Sequence, residues 1–237
     1  MMENQVKRIP RCLIGAKYTE EIAELTELGI DVIPLPKNPL LDEEICNHAD
    51  ILSFRLNNEL ILIDSTIAGD IEPFLEDYSV FPVNGIASPY PKDVRLNTAI
   101  VGNKIICNPL FTHDAILQTA YNNYELISTN QGYTKCNICN VNENAIITED
   151  PGITTLLNNC QTDVLKLKPG FVKLSDKHYG FIGGASAKIS NNEIYFSGDL
   201  SKHPQYQQII EFLENYNCKA VFNKTRPLTD FGGIVSI

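Results

Sequence analysis

The feature that most constrains how this chain folds is an internal repeat. Ala49 to Asp64 reads ADILSFRLNNELILID, Val94 to Asn108 reads VRLNTAIVGNKIICN, Lys135 to Asp150 reads KCNICNVNENAIITED, and Tyr179 to Asp199 reads YGFIGGASAKISNNEIYFSGD. Each is an extended segment, a tight turn and a short apolar run. The turns Asn57-Asn58, Gly102-Asn103, Glu143-Asn144 and Asn191-Asn192 carry the residue types that tolerate the positive φ of a two-residue hairpin. The second asparagines, at 58, 103, 144 and 192, lie 45, 41 and 48 residues apart. That spacing marks one supersecondary unit repeated with loop variation.

A helix and a further strand are expected after each hairpin. The helices fall over 67–77, 112–122, 153–160 and 204–216; in the last, Ile209, Ile210, Phe212 and Leu213 form an apolar stripe and Pro204 suits a first turn. The strands YSVFPV, YELIST, DVLKLK and KAVF follow, which gives strand-turn-strand-helix-strand units at about 49–84, 94–129, 135–168 and 179–223. A fifth unit is split between the chain ends. Residues 11–35 supply a strand (RCLIGAK), an amphipathic helix over 19–28 stopped by Gly29, and a closing strand (IDVIPL), while DFGGIVSI at 230–237 supplies the missing first strand. Pairing the last strand with the first removes the open edges of a linear array. The expected architecture is therefore α/β: a five-fold pseudosymmetric propeller of ββαβ units, in one domain over 1–237, closed by the two termini.

Composition narrows the function. At 43% hydrophobic content a chain of 237 residues buries a large core. It contains no run of membrane-span length and no apolar leader at its N-terminus. Seven cysteines, an odd and scattered set, fit free thiols in the cytoplasm better than a disulfide framework. A formal net charge of -10 argues against nucleic acid or an anionic membrane as partner. A small-molecule ligand is the expected partner, and no cofactor is implied.

A ring of five such units closed by the termini resembles the pentein fold of the guanidino-group-modifying enzymes, among them arginine deiminase, agmatine deiminase and dimethylarginine dimethylaminohydrolase. The phrases TKCNICNVNENAIITED, YGFIGGASAKI and PLTDFGGI resemble a bacterial branch of that fold, and the likeness runs from Arg11 to Ile237. In those enzymes a cysteine near the C-terminus, on a strand opened by a glycine pair, attacks the guanidinium carbon. A histidine moves protons and acidic residues clamp the nitrogens. Counted from Gly232-Gly233, that cysteine position falls on or near Ile237, and no cysteine follows Cys218. Ser236 is a poor substitute, since an alcohol without a base is a weak nucleophile.

Other groups must therefore carry any chemistry. The histidines are His48, His113, His178 and His203; none is expected to sit in the His-x-Asp/Glu pattern that the deiminases place on an inner strand, His113 and His203 suit helix starts, and His178, ahead of YGFIGGAS, is the best placed. Cys136 and Cys139 form a lone Cys-x-x-Cys. No second pair completes a zinc site, so no metal is expected, and on a strand the two thiols face opposite sides, which opposes a redox pair. Cys136 is then either a small core side chain or an inner-strand nucleophile beside Lys135, whose ammonium favours a thiolate. The ligand residues that the pentein likeness implies are Arg55, Asn97, Lys135, Asn137, Ser186, Asp230 and the glycines Gly184 and Gly233, with their neighbours Gly183 and Gly232. Polar groups clustered at strand starts around one axis point to a binding cavity. Asp230 could pair with a guanidinium, whereas Asp64, Asp150 and Asp199 suit turns and helix caps.

Three functions follow: a protein binding a small cationic, guanidino- or amide-type ligand at the axis; an amidine hydrolase or amidinotransferase-like enzyme using Cys136; and a non-catalytic interaction factor, as in the ribosome anti-association factor of the same fold. The first is the working expectation.

Overall fold

The computed structural model describes residues 7–237. Its strands are β1 (Arg11–Gly15), β2 (Asp31–Leu35), β3 (Ser53–Arg55), β4 (Leu60–Asp64), β5 (Ser79–Val83), β6 (Ala99–Val101), β7 (Lys104–Cys107), β8 (Glu125–Ser128), β9 (Ile138–Asn142), β10 (Ala145–Thr148), β11 (Asp163–Lys166), β12 (Ser186–Ser190), β13 (Glu193–Phe196), β14 (Lys219–Phe222) and β15 (Val235–Ser236). They form separate three-stranded sheets in the orders β15-β1-β2, β3-β4-β5, β6-β7-β8, β9-β10-β11 and β12-β13-β14.

Every sheet has the same design. The first strand runs antiparallel to the middle one, through a hairpin turn in four sheets and by pairing of the two chain ends in the fifth, and the middle strand runs parallel to the third. A parallel pair needs a crossover, and a helical segment supplies it each time: Thr19–Glu27, Ala68–Ile71, Asp114–Asn123, Pro151–Asn158 and Tyr206–Asn215. The split unit pairs as expected, with Cys12 opposite Ser236 and Leu13 opposite Val235.

The middle strands are buried on both faces: Ile61–Ile63, Ile105–Cys107, Ala145–Ile147 and Ile194–Phe196 lie at or near zero exposure. Helices cover them. Ile209 and Leu213 of Tyr206–Asn215 pack with Ile194 and Phe196, each buried side chain contributing about 1.5–3 kcal/mol. The capping aspartates behave as expected: Asp150 accepts from Ile153 N (2.8 Å), Asp64 from Thr66 N (2.9 Å) and Asp199 from Ser201 N (3.1 Å).

Two expectations change. The helix expected over 67–77 is a single turn at Ala68–Ile71 followed by a 3-10 turn at Glu72–Phe74, because Pro73 has no N–H to continue an α-helical ladder. The first strands also start later than the repeat suggests. Ala49–Leu52 and Thr134–Asn137 are one-turn helices and Lys92–Val94 is a 3-10 turn, each ahead of its strand. These pre-strand segments, with 180–185 and 230–234, carry the polar residues of the centre.

Candidate functional site

Hydrogen bonds join the pre-strand segments to one another. Asn97 Nδ2 donates to Asp50 O (3.2 Å), and Lys135 N donates to Asn97 Oδ1 (2.8 Å). Gly184 N donates to Cys136 O (2.8 Å), Phe231 N and Gly233 N donate to Gly184 O (3.0 Å each), and Asp50 N donates to Gly232 O (3.1 Å). The path visits a segment of every unit and returns to Asp50.

Glycine makes this convergence possible. A Cβ on Gly184 would lie 2.1 Å from Asp230 Oδ1, and one on Gly232, whose φ is +73°, would lie 2.4 Å from His48 Cβ. Both positions exclude a side chain so that Asp230 and His48 can seat.

A charged and thiol-bearing cluster lies where these segments meet. His48, Asp50, Cys136 and Asp230 are exposed by only 1%, 2%, 2% and 3%. Cys136 Sγ donates to Asp50 Oδ2 (3.0 Å) and accepts from Asn97 Nδ2 (3.1 Å). Asp230 accepts from Phe181 N (2.9 Å) and Gly232 N (3.0 Å), with its Oδ1 3.8 Å from His48 Nδ1. Both ring nitrogens of His48 and Oδ1 of Asp50 are buried without a hydrogen-bond partner among the described residues. Such orphaned groups cost roughly 1–3 kcal/mol each. Among the described residues, no lysine or arginine lies within salt-bridge distance of Asp50 or Asp230.

Burial dominates the electrostatics. It raises Asp50 to about 6, against the opposing pull of Lys135, and raises Asp230 to about 7, helped by the charge of Asp50. It lowers His48 to about 3, so the imidazole is neutral. Nearby Glu149, whose Oε2 accepts from Ile182 N (2.9 Å), rises to about 7 through burial. The Cys136 thiol is pushed well above its ordinary value by burial and then by the charges of Asp50 and Asp230. Of the two readings of Cys136, this environment opposes the thiolate: burial first, and then the two carboxylates, favour the protonated thiol.

Five of the sequence-expected residues, Arg55, Lys135, Cys136, Ser186 and Asp230, are spread over three cavities. A cavity of about 180 Å³ is lined by His48, Cys136 and Asp230 together with Asp42, Glu44, Tyr133 and Phe181. A cavity of about 370 Å³ is fronted by Arg55 and Lys135, with Asp50 also in its wall. Ser186 and Lys135 border a further groove beside Lys188. Gly233 (φ +58°) lies beside Lys135, within 3.6 Å of its Nζ once a Cβ is added. Asn97 bridges the cluster, but Asn137 turns away, its Nδ2 donating to Tyr133 O within its own turn.

Other expectations also shift. Cys136 lies on the one-turn helix Thr134–Asn137 and not on a strand, while Cys139 on β9 packs into the core with Val141. His178 is exposed and paired with Glu44 at 2.8 Å. His113 and His203 take the expected helix-start roles, their Nδ1 atoms accepting from Ala115 N and Gln205 N. Sequence reasoning missed His48, Asp50 and Glu149. The first two had a legible signal, because His48-Ala49-Asp50 is itself a His-x-Asp pattern at the start of the first repeat.

This fold is the pentein fold of guanidino-group-modifying enzymes. Similar solved structures include SxtG, an amidinotransferase from Microseira wollei in the saxitoxin biosynthetic pathway (TM-score 0.61, 8% identity, covering 93% of this chain and 90% of that one). A mutant of the dimethylarginine dimethylaminohydrolase DDAH from Pseudomonas aeruginosa complexed with citrulline is also similar (0.59, 9%, 92% and 93%), as is C. jejuni agmatine deiminase (0.57, 10%, 93% and 88%). The chain belongs to a family of unknown function, DUF6873, whose model matches residues 13–235. No match is found among curated proteins by sequence.

Proposed function

We propose that the five units form one propeller-like ring, and that a small guanidinium- or amidinium-type cation binds at its centre, in the cavity bordered by His48, Cys136 and Asp230. The observation that carries this reading is the pair of buried carboxylates, Asp50 and Asp230, with no basic side chain within salt-bridge distance among the described residues. Buried carboxylates without a counter-ion are costly, and a planar cation with several N–H donors would offset that cost through charge-assisted hydrogen bonds. The unit-to-unit hydrogen bonds support the ring. The neighbours' guanidino chemistry supports the ligand class by fold alone. Seven free cysteines support a reducing, cytoplasmic setting.

A second reading makes the site catalytic, and the Cys136–Asp50 hydrogen bond favours it. A bound cation would offset the carboxylate charges that hold the thiol protonated. Sulfur would then attack the amidinium carbon as its proton passes through Asp50 to the departing amine. One S–C bond forms and one C–N bond breaks, leaving an amidino-thioether that water would hydrolyse back to the thiol and a urea-type product. The hydrolytic outcome replaces the absent C-terminal cysteine by one from the third unit.

Thermal melts of the full chain with agmatine, arginine and methylguanidine, followed by intact-mass measurement, test both readings. Stabilisation by one of these cations that Asp230→Asn removes is the expected result. A mass gain on Cys136 would add catalysis. No stabilisation by any guanidine would overturn the binding proposal.

A further inference from the structure

The structure assigns a second occupant to the same centre: a divalent, zinc-class metal ion held by His48, Asp50 and Cys136. One ligand atom from each of these three buried residues lies within 4.8 Å of the others, so small side-chain adjustments would converge them on one ion. Their hydrogen bonding is incomplete in a way that suits a metal. Among the described residues, both imidazole nitrogens and Asp50 Oδ1 lack partners despite near-complete burial, and a ring nitrogen and a carboxylate oxygen are lone-pair donors that a metal satisfies directly.

The donor set selects the metal class. One nitrogen, one oxygen and one sulfur suit zinc and its tetrahedral analogue cobalt(II), whereas magnesium and calcium favour oxygen alone. Asp230 completes a further requirement. With its Oδ1 3.8 Å from His48 Nδ1, it is placed to accept from that nitrogen and aim Nε2 at the ion, the orienting role that carboxylates play for metal-bound histidines. Cys136 would lose its proton to solvent as the S–H bond gives way to a metal–sulfur bond. The adjoining cavity of about 180 Å³ leaves the fourth position open to water or a small ligand. Spacing of the Cys-x-x-Cys gave no sign of this, because the partners of Cys136 are 86 and 88 residues upstream, not at Cys139.

The metal and an organic cation both use Asp50, so each excludes the other. The inference does not rest on the guanidine reading, and the test separates them. Full-length protein is stripped with chelator and titrated with cobalt(II) while the absorption spectrum is followed. One equivalent should give the visible bands of tetrahedral cobalt and a near-ultraviolet thiolate-to-metal band. Cys136→Ser should abolish the thiolate band, Asp230→Asn should weaken binding by about tenfold or more, and Cys160→Ser should leave both unchanged. X-ray absorption of the zinc-loaded wild-type chain needs no variant: it should show one sulfur at about 2.3 Å with nitrogen and oxygen neighbours at about 2.0–2.2 Å. Absence of a thiolate band, its survival in Cys136→Ser, or two or more sulfurs at zinc would overturn the assignment. Guanidine melts run in chelator report on the organic ligand alone, so either proposal can fail without the other.

Discussion

The two cavities differ in the balance of charge around them, although Asp50 stands in the wall of the larger one. The smaller one is walled by Asp42, Glu44, His48, Cys136 and Asp230, and the larger is fronted by Arg55 and Lys135 among apolar side chains such as Phe54, Ile100 and Ile234. Arg55 is also occupied locally: its guanidinium donates to Asn58 Oδ1 (2.6 Å), Asn57 O (3.2 Å) and Ser236 O (3.3 Å). Among the described residues, Asp50 and Asp230 have no lysine or arginine within salt-bridge distance. The lesson is that polar residues at equivalent strand starts need not serve one ligand. On the proposed reading a cation enters the acidic cavity, whereas Arg55 and Lys135 line the larger one together with Asp50.

The contrast can be broken first at Asp230. If the acidic cavity binds the cation, Asp230→Asn should weaken guanidine binding about 30-fold or more, since losing one partner of a buried charge pair costs roughly 2–5 kcal/mol; titration calorimetry reads this directly, and equal affinities would place the ligand outside the cavity. Gly184→Ala sharpens the structural side of the argument. Its Cβ would collide with Asp230 Oδ1 at 2.1 Å, so urea unfolding should show a loss of about 2–3 kcal/mol; an unchanged midpoint would mean that Asp230 is not seated there.

Glu149, a buried carboxylate whose charge acts on Asp230, should also leave a signature in pH. Glu149 has its folded-state value raised to about 7 from 4.5 by burial, so the folded chain holds this proton more tightly than the unfolded one. That contribution favours folding at low pH and is lost as pH rises from about 4.5 through 7. Glu149→Gln removes the buried charge, and it should stabilise the protein by about 1–3 kcal/mol at pH 8 while changing little at pH 4. Equal effects at both pH values would exclude the carboxylate's ionisation as the cause. The smallest effect belongs to the basic cavity: Arg55→Ala should leave guanidine affinity unchanged and shift stability by about 1 kcal/mol or less. A large loss of affinity in that variant would reverse the assignment of the two cavities.

Much of the fold was legible because its signals are local. Asn103 and Asn144 occupy hairpin turns with Val101 opposite Lys104 and Asn142 opposite Ala145, as the repeat required. In the first unit, Leu56 N donates to Leu60 O and Asn57 Oδ1 accepts from Glu59 N and Leu60 N, so the loop is longer than the expected two residues. Asn57 makes that loop by folding its own side chain onto the backbone, which residue type alone does not announce. Pairing of β15 with β1 followed from pattern because the two halves of a split unit still match their intact counterparts.

The site was less legible. Asn97, Lys135, Cys136 and Asp230 could be found by their repeat positions, but the direction each side chain takes depends on whether its segment is strand or single-turn helix. At Ala49–Leu52 and Thr134–Asn137 the turn sends Asp50 and Cys136 to meet within 3.0 Å across 86 residues of sequence. A period-two reading cannot find that contact. Glu149 was invisible for another reason: it follows β10 in a position that reads as loop, and its partner, Ile182 N, comes from the next unit.

The most direct test of a cation-binding centre is a crystal structure of the full chain grown with agmatine in the presence of a chelator. The account predicts the guanidinium in the cavity between His48, Cys136 and Asp230, with its N–H groups directed at the carboxylates. Agmatine seated instead beside Arg55 and Lys135, or a central cavity left unchanged at saturating agmatine, would contradict it.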